Sequence, residues 1–79
     1  MLDNRNITEI TTKVIDFRNN DSQPIFTAKT TVCYDDGCVD VEFSDGKTRH
    51  EACQNSFDIM AKKLGDLDED TLKKVAFLD

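Results

Sequence analysis

Little in this chain punctuates the backbone. It has one proline, three glycines, one histidine and no tryptophan. Gly37, Gly46 and Gly65 each suit a turn or a helix end, so none is left to build a phosphate-cradling loop. With His50 alone, nucleophilic chemistry on imidazole reduces to one pair, His50 with Cys53, and no third group orients it. No apolar run approaches the roughly 20 residues of a membrane-spanning helix, nor the length of a secretory signal, and the stretch Met1–Asn6 is polar. Basic residues are the minority: 10 Lys and Arg stand against 16 Asp and Glu, for a formal charge of -6. Binding to nucleic-acid phosphates draws its energy from Lys and Arg, so direct nucleic-acid binding is not expected.

What is present describes one small domain spanning residues 1–79. A chain of this size buries only about 60–65% of its unfolded surface. A homodimer or a protein partner would supply missing core. Three cysteines without a secretory signal read as reduced thiols in a cytoplasmic protein.

Residues 25–51 carry the clearest pattern. Asp36-Gly37 and Asp45-Gly46 both suit two-residue hairpin turns, because each tolerates positive φ. Two such turns pair Tyr34 with Val39, Val32 with Val41 and Thr30 with Phe43, then Glu42 with Arg49. That register collects Phe26, Ala28, Thr30, Val32, Tyr34, Val39, Val41 and Phe43 on one face. Lys29, Thr31, Cys33, Cys38, Asp40, Glu42, Ser44 and Arg49 fall on the other.

Upstream, Ile7–Phe17 is rich in β-branched residues, which favours a strand. Yet Ile7, Ile10, Val14 and Phe17 fall at helical spacing, so the strand needs a bulge, expected between Thr11 and Lys13. Asn19–Pro24 reads as a loop.

Downstream, Cys53, Phe57, Met60, Ala61 and Leu64 form an amphipathic helical stripe ending at Gly65. A second helix is expected from an Asp68 N-cap through Leu72, Val75 and Ala76. The expected fold is α+β: an antiparallel β-meander of three to four strands followed by two C-terminal α-helices packed on one face.

Cys33, Cys38, His50 and Cys53 offer zinc ligand types. Their spacing lacks short paired knuckles, and the register separates Cys33 and Cys38 from His50. No metal or other cofactor is expected. The acidic pairs and the run Asp66, Asp68, Glu69, Asp70 lie in turns, on an exposed strand or at a helix start, where carboxyls stay solvated and unsuited to acid–base catalysis.

The reading that remains is a non-catalytic acidic protein acting by protein–protein contact. Its expected partner-binding residues are Asp35, Asp36, Asp40, Glu42 and Asp45, facing a protein with a basic surface. Occupying a nucleic-acid site on another protein, as an inhibitor from a phage or mobile element does, fits its size and charge by analogy. The alternative is a small metal-binding or Cys/His-dependent regulator or enzyme.

Overall fold

The computed structural model describes residues 6–65 and 67–78. Its elements are β1 (Ile7–Asn20), β2 (Gln23–Tyr34), β3 (Val39–Gly46), α1 (Arg49–Leu64), the one-turn α2 (Glu69–Leu72) and β4 (Val75–Leu78). The four strands form one sheet in the order β3-β2-β1-β4. β1 pairs antiparallel with β2, and β2 with β3, but β4 lies parallel to β1. The sheet is therefore mixed and its order non-sequential, and the expected simple antiparallel meander is overturned.

The β1–β2 hairpin closes on Asp21 and Ser22, at φ 52° and 64°. Positive φ at both central residues marks the turn whose twist matches two antiparallel strands. Pairing continues out to Asn20 with Gln23, so the loop expected over Asn19–Pro24 shrinks to two residues.

β1 contains two register shifts, between Ile7 and Glu9 and between Val14 and Asp16, neither between Thr11 and Lys13. Each shift inserts one residue and restores the original side. Ile7, then Ile10, Thr12 and Val14, then Phe17 consequently all reach the helix side of the sheet. The helix-like spacing of Ile7, Ile10, Val14 and Phe17 is that of a strand rephased twice.

The β2–β3 connection differs from expectation by one residue. Cys33 pairs with Val39, Thr31 with Val41 and Lys29 with Phe43. The Gly37 amide donates to the Tyr34 carbonyl at 3.1 Å and the Tyr34 amide to the Cys38 carbonyl at 3.0 Å. Gly37 follows at φ 89°. This is a three-residue loop, a β-turn closed by a left-handed glycine. One extra loop residue reverses the faces of β3. Val39, Val41 and Phe43 leave the core side, and Asp40 and Glu42 join it.

The second Asp-Gly is no hairpin. β3 ends at Gly46, and Thr48 caps α1, its hydroxyl accepting from the Glu51 amide at 3.0 Å. The Glu51 carboxylate in turn accepts from the Lys47 amide at 3.1 Å. The fourth meander strand expected over residues 47–51 is instead the entry to α1.

α1 lies over β2 and β3 and buries Ala52, Cys53, Ser56 and Met60. Two apolar clusters result. Ile10, Val32, Tyr34 and Met60 form one; Ala28, Ala52 and Cys53 form the other. Between them runs a buried hydroxyl chain: Thr12 to Thr30 at 2.7 Å, Thr30 to Ser56 at 2.9 Å, and Ser56 to the Cys53 carbonyl at 3.1 Å. Burying hydroxyls is tolerated because each has a partner.

The C-terminal segment corrects the expected second helix. Asp68 does act as N-cap, but the helix lasts one turn, and Val75–Leu78 extend as the edge strand β4. The chain thus crosses from one sheet edge to the other on the α1 side. Phe77 meets Phe57 there, with ring centroids 5.6 Å apart.

Candidate functional site

The five expected partner-binding carboxylates do not form one row. Asp35 and Asp36 are exposed at the β2–β3 turn, where the Asp36 carboxylate accepts from the Cys38 amide at 2.9 Å. Asp45 is exposed at the other end of β3 and accepts from the Thr27 hydroxyl at 2.6 Å. Arg18 also approaches it, at 3.7 Å. Seven residue steps along β3 separate the two ends by about 23 Å.

Asp40 and Glu42 lie between, but on the α1 side of the sheet, half-buried. The Tyr34 hydroxyl donates to Asp40 at 2.7 Å. Lys63 of α1 reaches Glu42 at 3.2 Å and Asp40 at 4.0 Å. Their placement on an exposed polar face is overturned by the one-residue register difference. Inward-pointing charge on an edge strand is a feature that disfavours addition of a second strand. Asp40 and Glu42 are placed in this way on β3, as guards of its edge would be.

A second acidic group was visible in the sequence only as a helix start. Asp35, Asp68 and Asp70 converge with Lys74 on an open depression of about 500 Å³. Most of its polar groups hold the chain together. Asn6 donates to Asp35 at 3.2 Å, the Thr71 amide to Asp68 at 2.8 Å, and Lys74 to the Ile7 carbonyl at 2.8 Å. The Thr71 amide, its hydroxyl and then Lys74 hold the Asp68 carboxyl below its ordinary value. Asp66, of the same acidic run, lies outside the described residues.

The cysteines and histidine do not assemble. Cys33 is half-buried, Cys38 exposed at the turn and Cys53 buried on the sheet-facing side of α1. His50 is exposed in the first turn of α1. Among the described residues no three His, Cys, Asp or Glu side chains gather within reach of one ion. Also among them, no helix is long and apolar enough to cross a membrane.

What sequence reasoning missed is the face of the sheet opposite α1. The register stacks it in rows across the strands. Val39, Cys33 and Glu9 make the first row; Val41, Thr31, Thr11 and Ala76 the second; Phe43, Lys29, Lys13 and Leu78 the third. No described element covers this face. Val39 is 57% exposed, Phe43 54% and Leu78 48%. Surface apolar residues are ordinary when scattered. Here Val39, Val41 and Phe43 are successive same-side residues of one strand and make a continuous stripe. The signal was the three-residue loop, which the Asp-Gly pair disguised.

No family model, curated protein or solved structure matches this chain.

Proposed function

We propose that the chain is a non-catalytic protein-binding domain and that it binds through the helix-free face of the sheet. The observation that carries this reading is the stripe Val39, Val41 and Phe43, with Val39 and Phe43 exposed and Val41 half-buried, on a face that α1 leaves bare. A stripe of this kind gains roughly 25 cal/mol for each Å² of apolar area that a partner covers. The guarded β3 edge favours docking onto the face over strand addition. The net charge of -6 steers the domain toward partners with basic surroundings. A domain that sits stoichiometrically on such a surface blocks it, which is how an inhibitor without chemistry works.

The test compares two surface changes in capture experiments from lysate, with folding checked by circular dichroism. Phe43→Lys is expected to abolish specific retention of partners. Asp36→Lys is expected to retain them and only increase their sensitivity to salt. The reverse result would transfer the binding role to the acidic turn and refute this assignment.

A further inference from the structure

The charges on the helix-free face say what covers it. Lys13 and Lys29 are directly opposed across β1 and β2. Both project to the face that α1 does not cover, since their neighbours Thr12, Ala28 and Thr30 are buried beneath the helix. Like charges directly opposite in a sheet destabilise it. Among the described residues neither lysine has an ion-pair partner, and neither does Glu9, two positions from Thr11 on the same strand.

This pattern is self-complementary. Consider a two-fold axis in the plane of the face, perpendicular to the strands, passing through the row Val41, Thr31, Thr11 and Ala76. The operation sets β1 over β1 and β3 over β3 of the second copy, and exchanges the first row with the third. Val41 then meets its own equivalent on the axis. Val39 meets Phe43 of the second copy, and Glu9 meets Lys13, twice by symmetry. Aligned sheets packed about 10 Å apart, with a crossing angle of roughly 30°, bring such rows into contact. A two-fold axis parallel to the strands preserves the rows and stacks four lysines together, so the charges select the perpendicular axis.

We infer that a second copy of this chain occupies the helix-free face, forming a symmetric face-to-face dimer whose axis runs along the row Val41, Thr31, Thr11 and Ala76. The inference rests on the binding role given to that face and names a second copy as the occupant that a foreign partner has to displace, the like net charges of -6 on the two copies weakening the dimer. The Asp40 and Glu42 guards favour this mode over an edge-to-edge dimer, in which the same carboxylates would be brought together. A face only four strands wide makes a small interface, so the dimer is weak and concentration-dependent.

Sedimentation equilibrium and native mass spectrometry over a concentration series read the assembly directly. The expected result is a monomer–dimer equilibrium that Glu9→Lys and Lys13→Glu each weaken by about tenfold or more, and that the double exchange restores. In a Cys33→Ser, Cys38→Ser background, Val41→Cys is expected to form an interchain disulfide in air, because the two positions share the axis. A chain that stays monomeric overturns the second copy as occupant. If Phe43→Lys still abolishes capture of another protein in that case, the binding role of the face stands. A dimer that survives Phe43→Lys, fails to cross-link through Val41→Cys and ignores the charge exchange overturns both assignments.

Discussion

Asp36-Gly37 and Asp45-Gly46 are the same dipeptide, and the molecule uses them for different physical reasons. Gly37 adopts φ 89°, and a Cβ added there would meet nothing within 4 Å. It is present for its backbone angle. Gly46 does not adopt positive φ, but an added Cβ would lie 2.4 Å from the Ala52 nitrogen. It is present for the space it leaves, where the end of β3 runs against the first turns of α1. A dipeptide that favours turns reports that glycine is needed and is silent about why.

The sharpest way to break this comparison is to add one methyl group at each site. Gly46→Ala forces backbone against backbone, which no side-chain rotation relieves. A loss of about 3 kcal/mol is expected, as for severe overpacking. Gly37→Ala meets only the cost of a left-handed L-residue, about 1 kcal/mol. Chemical denaturation of the two variants side by side measures the difference. Asparagine refines it: Gly37→Asn should recover part of the loss, since Asn tolerates left-handed φ, whereas Gly46→Asn should be no better than alanine. Equal losses at the two sites would show that space and backbone angle had been assigned wrongly.

The helix entry beside Gly46 gives the next effect in size. If Asp45-Gly46 leads into a helix and not into a strand, Thr48 must matter as a cap. Thr48→Ala removes the acceptor for the Glu51 amide, and about 1 kcal/mol of stability should go with it. Thr48→Ser should be nearly neutral. A strand residue would respond oppositely, because threonine exceeds serine in strands.

These elements show why some of the fold was legible and some was not. The strand character of Ile7–Phe17, the β2 core face and α1 follow from residue types repeated over many positions. The β3 faces depended on a single loop residue between Tyr34 and Cys38, and nothing in Asp-Asp-Gly chooses a two-residue over a three-residue loop. Thr30 falls on the expected apolar face, but Thr12 and Ser56 escaped notice as core because hydroxyls count as polar until their mutual bonds are seen. Thr48 and Glu51 did carry the spacing of a helix start, obscured by the stronger hairpin signal of Asp45-Gly46. Val75–Leu78 is too short to show a period, and its parallel pairing with β1 is set by distant contacts. For the binding face, the extra loop residue was decisive, since it moved the apolar stripe from the core to the surface.

A smaller effect comes from the turn with no glycine. Asp21 and Ser22 hold the positive φ that was expected of the Asp-Gly pairs. Aspartate tolerates that conformation better than serine does. Ser22→Gly should therefore stabilise the protein by about 0.5 kcal/mol, the relief at the angle being partly offset by a more flexible unfolded chain. A thermal melt compared with Gly37→Ala would show opposite signs for glycine gained and glycine lost at positive φ. If Ser22→Gly were destabilising, the hairpin would depend on its serine hydroxyl and not on its backbone angle.

The most local effect belongs to Asp68, which caps α2 as Thr48 caps α1 but can titrate. Its carboxyl is held below the ordinary aspartate value, first by the Thr71 amide, then by the Thr71 hydroxyl and by Lys74. A lowered folded-state value means that the ionised cap stabilises the fold above the unfolded value and loses that contribution as pH falls through the folded one. Neutral conditions therefore keep the cap intact, and only acid below about pH 4 removes it. Because the group lies at the surface, the loss should stay within α2 and the adjoining start of β4, leaving the sheet–α1 core in place. Amide exchange at Thr71 should rise on acidification while exchange in β2 stays slow. Asp68→Asn can still accept the Thr71 amide but cannot titrate, so it should flatten the acid dependence at that amide. If Thr71 responded to acid equally in the Asp68→Asn variant, the pH sensitivity of this end would not come from the Asp68 cap.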